Sequence, residues 1–165
     1  MTENNKVHCP VCNMDTQENN IHSEFEKLEF FFCSNQCQDR FIANPHLYIG
    51  HWGRLSAKQR GECILKKRII KLERTTQNNL AEKITKGLSA MMGVKEVSIE
   101  GERISICYDL IETTSLQIES EIEQLGGYLK DDLVERTKLA FIHYREEVEI
   151  DNLEQDTCSS HNHHH

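Results

Sequence analysis

Four cysteines near the start of the chain form two closely spaced pairs. Cys9-Pro-Val-Cys12 is the first pair, and Cys33-Ser-Asn-Gln-Cys37 is the second. Two such pairs can direct four thiolates at one ion about 2.3 Å from each sulfur, as tetrahedral Zn2+ requires. We therefore predict a metal centre with Cys9, Cys12, Cys33 and Cys37 as its ligands.

The same four cysteines allow two other interpretations. They could pair as disulfides, but the polar segment Met1 to Val7 has no signal-peptide core, which favours a cytoplasmic location and free thiols. The ion could also be purely structural, because a unit of roughly fifty residues buries little apolar surface and a metal can stabilise it. The sequence leaves open whether Zn2+ only supports folding or whether Cu+ can exchange at the site.

Other possible ligands lie in the same segment. His22 and His46 could each replace a thiolate, and the thioether of Met14 could contact Cu+. Since four thiolates already complete a tetrahedron, we expect neither histidine to bind the ion and Met14 to pack under the metal loop.

Aromatic residues accompany the second cysteine pair. Phe30-Phe-Phe leads directly into Cys33, and Phe41, Asn44-Pro45 and Tyr48 follow. Together with the first pair, residues 7 to 49 resemble the YHS/TRASH metal-binding module. The resemblance implies an aromatic strand, a short helix and a role in heavy-metal handling. The sequence departs from that family at Asn13 and Glu29, where glycine is usual.

Residues 68 to 130 show a β-α-β-β-α-β pattern, which predicts a ferredoxin-like domain. Strands are expected at Ile69 to Leu72, on both sides of the turn Glu100-Gly-Glu102, and at Tyr128 to Lys130. Apolar residues with helical spacing predict the two helices; they are Leu80, Ile84, Leu88 and Met91/Met92, then Ile118, Ile122 and Leu125.

Two stretches of this domain carry a further resemblance. Gly93-Val-Lys-Glu-Val97 and Ile122-Glu-Gln-Leu-Gly-Gly-Tyr128 are similar to the heavy-metal-associated domain of copper chaperones and metal-pumping ATPases. That family has CxxC where this chain has Thr75-Thr-Gln-Asn-Asn79, which has little affinity for Cu+. The resemblance implies a degenerate copy that serves docking or folding. The order of both modules resembles the cytosolic N-terminal region of heavy-metal P-type ATPases and implies a metal-transport ATPase as partner.

The remaining segments complete the expected organisation, an α+β chain. We predict a small zinc-binding module with four cysteine ligands at 1–49, a linker at 50–67, the ferredoxin-like domain at 68–130, a C-terminal helix at 131–152 and a disordered His-rich tail at 153–165. Within the linker, Trp52 should be an apolar anchor and Cys63 should be buried. In the tail, Cys158 and the histidines could bind Zn2+, Ni2+ or Cu2+, or be a cloning remnant.

The C-terminal helix is expected to begin at Asp131 or Asp132. One face carries apolar side chains and should pack on the sheet, on the metal module or on a second copy in a homodimer; its members are Leu133, Thr137, Ala140, Phe141, Tyr144 and Val148. We expect such an element to cover Cys107, which faces the other side of the sheet from Tyr108. His143 is expected to face solvent.

Composition narrows the possible functions. The formal charge of −8 argues against nucleic acid as a partner, and no apolar run is long enough to insert into a membrane. We find no paired carboxylates, Ser/His/Asp set or Gly-rich phosphate loop in a setting typical of a catalytic site, so we do not expect an enzyme. The prediction is a non-catalytic metal-binding accessory protein of copper or zinc homeostasis; the alternative is a zinc-stabilised protein-interaction or regulatory module.

Overall fold

The structure is a computed structural model that describes residues 6–18, 21–51, 53–74 and 79–158. It divides into two compact units. The first comprises Met1–Glu62 and Val148–His165, and the second comprises Cys63–Glu147. The predictions for Trp52, for Thr75 to Asn78 and for the tail histidines lie outside the described residues.

Two antiparallel hairpins and a helix form most of the first unit. The elements in chain order are β1 (Lys6–His8), β2 (Asp15–Gln17), β3 (Ile21–Phe25), β4 (Leu28–Phe32), α1 (Asn35–Ala43) and a 3-10 helix (Pro45–Leu47). Strand β1 pairs with β2, and β3 pairs with β4. The predicted aromatic strand and the short helix after it are therefore present. The sequence predicts this helix over Cys37 to Ile42, and α1 extends past both ends of that range, from Asn35 to Ala43.

An aromatic cluster forms the core of this unit. The Phe41 ring lies at its centre, with four neighbouring ring centroids between 4.9 and 6.0 Å away; they belong to Phe25, Phe30, Phe32 and Tyr48. Because β3, β4, α1 and the segment after the 3-10 helix each contribute a ring, this packing fixes the cysteine-bearing segments relative to one another.

The second unit has the element order β-α-β-β-α. Its elements are β5 (Leu65–Lys71), α2 (Leu80–Ala90), β6 (Val94–Glu100), β7 (Arg103–Asp109) and α3 (Ser115–Gln124). The sheet is antiparallel, with β7 between β5 and β6. Strand β5 begins at Leu65, inside the expected linker, because pairing with β7 already starts there, at Leu65 and Asp109.

The expected last strand at Tyr128 to Lys130 is present only as one bridge between Leu72 and Leu129. The backbone N–H of Glu73 donates to Tyr128 O at 2.8 Å, and that of Lys130 donates to Lys71 O at 2.9 Å. Residues 125–132 separate α3 from the next helix, and their pairing with residues 71–73 is limited to this bridge and these two hydrogen bonds.

Side chains from the sheet and both helices fill one core. The predicted stripes of α2 and α3 are buried except at their ends, where Met91, Met92 and Leu125 are only partly buried. The buried cluster consists of Ile70, Leu72, Leu80, Ile84, Leu88, Ile104, Ile106, Tyr108, Ile118 and Ile122. The prediction from periodicity succeeded here because each element buries a single apolar face.

The last helix, α4 (Leu133–Cys158), extends beyond the expected end at 152. The Asp132 Oδ1 accepts a hydrogen bond from Glu135 N at 2.9 Å, so Asp132 caps the helix as one of the two predicted candidates. Residues up to Glu147 belong to the second unit, and those from Val148 onward belong to the first. Within the described ranges, every helix is too short or too polar to cross a lipid bilayer.

The predicted apolar face of α4 is exposed in this chain, so the expectation that it packs on the sheet is wrong. Phe141 is 59% exposed and Tyr144 is 63% exposed, whereas Glu135 and Glu146 are buried. The carboxylates of Glu135 and Glu146 have specific hydrogen-bond partners in the second unit. Hydrogen-bonded carboxylates therefore face inward, and the aromatic residues face outward.

Candidate metal centre

The sulfur atoms of Cys9, Cys12, Cys33 and Cys37 all lie within 4.8 Å of one another, and we call this group the thiolate cluster. The Cys12 and Cys33 sulfurs are 3.3 Å apart, and those of Cys33 and Cys37 are 3.6 Å apart. Four sulfurs at about 2.3 Å from one ion would be about 3.8 Å from each other, so the spacing fits a tetrahedral site. All seven cysteines lie in the described part of the chain, and there none of them is in a disulfide.

A tight turn between β1 and β2 holds the first pair. The Cys9 N–H donates to Met14 O at 2.9 Å, and the Asn13 N–H donates to Cys9 O at 2.9 Å. Asn13 has a φ of 66°, a left-handed conformation that asparagine tolerates better than most side chains. Asparagine can therefore form this turn at a position where the resembled family usually has glycine.

The second pair lies where β4 passes into α1. Cys33 follows the last residue of β4, and Cys37 lies in the first turn of α1. Ser34 is the N-cap, and its Oγ accepts a hydrogen bond from Cys37 N at 3.3 Å. Thr16 of β2 donates to Phe32 O at 3.1 Å, which connects the hairpin of the first pair to the strand that leads into the second.

Protonation of the cluster depends on hydrogen bonds among its own thiols. Hydrogen bonds from Cys12 and Cys37 lower the pKa of Cys9. Hydrogen bonds to Cys12 and Cys9, together with burial, raise the pKa of Cys37. Without a cation the thiols therefore share protons around one thiolate, since adjacent negative charges repel. A bound cation is what would allow all four to be deprotonated.

Several other sequence-predicted residues lie outside the thiolate cluster. His22 has its Nδ1 3.8 Å from Glu29 Oε1, and Met14 is 50% exposed, so the expected packing of Met14 under the metal loop is wrong. Cys63 is exposed and the prediction that it is buried is also wrong, while Cys158 is exposed as well. Cys107 is buried, as expected.

The side of the sheet that carries Cys107 forms part of an open groove of about 880 Å³. Lys138 and Ile142 of α4 line this groove together with Cys107. His143 does not simply face solvent, because its Nε2 lies 2.8 Å from Glu119 Oε1. The groove has no cluster of metal-ligating side chains among the described residues.

A second group of metal-ligating side chains was missed by the sequence reasoning. Glu26, His46 and His51 have ligand atoms within 4.8 Å of one another. The sequence suggests His46 only as a substitute for a thiolate, and it predicts no role for Glu26 or His51. Their spacing in the sequence fits no ligand motif, because they come from three separate turns.

Comparisons with known proteins gave only partial likenesses. No protein-family model matches the sequence. No curated protein matches it either. The YHS/TRASH resemblance therefore stays a prediction.

Solved structures similar to this chain include domains of bacterial copper ATPases. The water-soluble region of the P-type ATPase CopA from Bacillus subtilis is 28% identical with a TM-score of 0.38, over 41% of this chain and 46% of that chain. The N-terminal soluble domains of CopA from Bacillus subtilis are 28% identical with a TM-score of 0.38, over 41% of this chain and 48% of that chain. This chain thus spans less than half of the length of either.

A further similar structure is the N-terminal domain of a potential copper-translocating P-type ATPase from Bacillus subtilis in its Cu(I)-loaded state. It is 23% identical with a TM-score of 0.38, over 41% of this chain and 86% of that chain. At TM-scores this low, the likenesses do not establish a shared fold or function.

Proposed function

We propose that this protein is a non-catalytic metal-binding accessory protein of heavy-metal homeostasis. The observation that carries the proposal is the convergence of four cysteine sulfurs within 4.8 Å. Four thiolates leave no open coordination position for a substrate or an activated water, which argues against an enzyme. The proposed ion is Zn2+ or Cu+, because thiolates bind both.

Exposure of the ligands supports an exchangeable rather than a purely structural ion. Cys9 and Cys37 are fully buried, but Cys12 and Cys33 are half-buried. The sulfurs of these two half-buried residues are 3.3 Å apart, and we infer that they form the accessible edge of the cluster. A thiolate from an acceptor could approach this edge and replace Cys12 or Cys33, whereas the buried pair would keep its hold on the ion.

The proposed setting is cytoplasmic, with a metal-transport ATPase as the acceptor of the ion. The reducing cytoplasm would keep the thiols available for metal. The partner follows from the module order described in the sequence analysis and rests on that resemblance alone.

A second candidate function is a zinc-stabilised protein-interaction module. Phe141 and Tyr144 on α4 are 59% and 63% exposed, and aromatic side chains are enriched at protein interfaces. In this case the ion would only stabilise the first unit, and the outer face of α4 would bind a protein partner or a second copy of the chain.

Metal-release kinetics distinguish the two candidates. The zinc-loaded protein is mixed with a chelator, and the release rate is compared with hydrogen exchange of the β3 and β4 amides. We expect release to be much faster than amide exchange, because the edge formed by Cys12 and Cys33 exchanges without unfolding. Release at the rate of unfolding would instead identify a structural ion and would overturn the metal-handling proposal.

A further inference from the structure

We propose that Glu26, His46 and His51 form a second metal site for a borderline divalent cation such as Zn2+, Ni2+ or Cu2+. We call these three residues the His-Glu cluster. Their ligand atoms lie within 4.8 Å of one another, and Glu26 Oε1 is 3.7 Å from His51 Nδ1. The site goes beyond the proposed function, because it uses none of the four cysteines and favours a different class of ion.

Three separate turns present the ligands. Glu26 and Lys27 are the two turn residues between β3 and β4, and both have positive φ, 50° and 65°. His46 lies in the 3-10 helix. His51 and Arg54 exchange two backbone hydrogen bonds of 3.1 and 3.0 Å, and a Cβ on Gly50 would collide with the Arg54 carbonyl oxygen. Hydrogen bonds and turn geometry of the backbone therefore position the three ligands.

The orientation of the His46 ring suits metal binding through Nε2. Its Nδ1 lies 3.4 Å from Ile49 O, and a carbonyl oxygen can only accept a hydrogen bond. The proton therefore belongs on Nδ1, which leaves the lone pair of Nε2 for a cation. The ring centroids of Phe25 and His51 lie 5.4 and 5.2 Å from that of His46, at interplanar angles of 78° and 70°, so two aromatic contacts hold the imidazole.

A second carboxylate lies beside the His-Glu cluster. Glu154 accepts hydrogen bonds from His46 N and from Asn44 Nδ2, both at 3.0 Å, so its carboxylate is fixed beside the ligands. The carboxylates of Glu26 and Glu154, next to the imidazoles of His46 and His51, favour binding of a divalent cation.

The donor set determines which ions would bind. Imidazole nitrogen and carboxylate oxygen suit Zn2+, Ni2+ and Cu2+, whereas Cu+ prefers sulfur. Three protein ligands leave a fourth position open, so the ion could exchange or bind water. Glu26 is exposed and the His51 side chain is 27% exposed, which gives the ion a path from solvent.

A neighbouring pair provides a matched control. His22 Nδ1 is 3.8 Å from Glu29 Oε1, almost the same separation as between His51 and Glu26. No third ligand joins His22 and Glu29 among the described residues. His22→Ala therefore removes a comparable histidine and carboxylate contact without affecting the proposed site.

The test uses the full chain with the thiolate cluster filled by Zn2+ and titrates it with Co2+. The tail histidines, His161, His163, His164 and His165, are replaced by asparagine so that they do not compete. Co2+ binds more weakly than Zn2+ at a given site and leaves the thiolate cluster occupied. We expect one equivalent of Co2+ to give d–d absorption without a sulfur-to-cobalt charge-transfer band.

Glu26→Gln and His51→Ala should each weaken Co2+ binding at least about tenfold, while His22→Ala should not change it. The proposal would be overturned if Glu26→Gln and His51→Ala bound Co2+ as tightly as the unmodified protein. It would also be overturned if His22→Ala weakened Co2+ binding as much as they do. If His51→Ala does not fold, Glu26→Gln in the exposed turn decides. The retained Zn2+ content reports separately on the thiolate cluster, so failure of the second site and failure of the proposed function are distinguishable.

Discussion

The hydroxyl group of Tyr108, in the core of the second unit, donates a hydrogen bond to the carboxylate of Glu146 on α4. The other oxygen of this carboxylate accepts from the backbone N–H of Ser115, the first residue of α3, at 2.9 Å. Glu146 thus connects β7, α3 and α4 and places a negative charge at the positive end of α3. Arg68 Nη2 lies 3.7 Å from the same carboxylate.

We expect Glu146→Leu to lower the free energy of unfolding by about 3 kcal/mol, because it leaves Tyr108 Oη and Ser115 N without their acceptor. Glu146→Gln retains one acceptor oxygen and should cost less. The measurement is urea denaturation, with Glu147→Gln at an exposed position as the control. Equal stability of Glu146→Leu and Glu147→Gln would contradict the role assigned to this carboxylate.

A second prediction concerns the pH dependence of stability. Lys71 Nζ lies 2.7 Å from Glu135 Oε1, and the hydrogen bond from Lys71 holds the pKa of Glu135 below its ordinary value of 4.5. A carboxyl group whose pKa is lower in the folded state stabilises the fold above the unfolded pKa, and this contribution disappears as pH falls through the folded pKa.

Lys71→Met should therefore cost up to about 1 kcal/mol near neutral pH, and the difference from the unmodified protein should shrink as the pH falls below 4.5. Urea denaturation at several pH values measures this difference. Lys83→Met, an exposed change on α2, serves as the control. A difference that does not vary with pH would argue against the ion pair.

The turn between β3 and β4 gives a third prediction. Lys27 has a φ of 65°, which costs a residue with a Cβ about 1 kcal/mol relative to glycine. Lys27→Gly should raise the free energy of unfolding by a few tenths of a kcal/mol or more, after the extra entropy of glycine in the unfolded chain is subtracted. Lys27→Ala keeps the strain and should not stabilise the protein. Thermal unfolding of both variants tests the turn, and stabilisation by both would contradict it.

Periodicity predicted those parts of the fold that bury one apolar face. The stripe of Leu80, Ile84 and Leu88 on α2 is buried as expected, because no polar group competes for that position. On α4 the same reasoning failed. Glu146 is buried because Tyr108 and Ser115 supply donors that only the folded structure brings together, and sequence spacing does not reveal such donors.

The two candidate metal sites also differ in how far the sequence alone predicts them. The thiolate cluster could be predicted because its ligands come as two short pairs, each on one turn or helix start. The ligands of the His-Glu cluster are spread over the β3–β4 turn, the 3-10 helix and the turn at His51. Only the packing of these turns around the aromatic core brings Glu26, His46 and His51 within reach of one ion.

The central claim is that the thiolate cluster holds one exchangeable ion. Elemental analysis of the purified protein, followed by Cu+ titration against a competing chelator with circular dichroism as the fold readout, tests it most directly. We expect one ion per chain on the cluster and replacement of Zn2+ by Cu+ with the fold intact. This binding should be abolished by Cys33→Ser and retained in Cys63→Ser, which alters an exposed thiol outside the cluster. Zn2+ that Cu+ displaces only with unfolding, or a protein with no bound metal, would contradict the account.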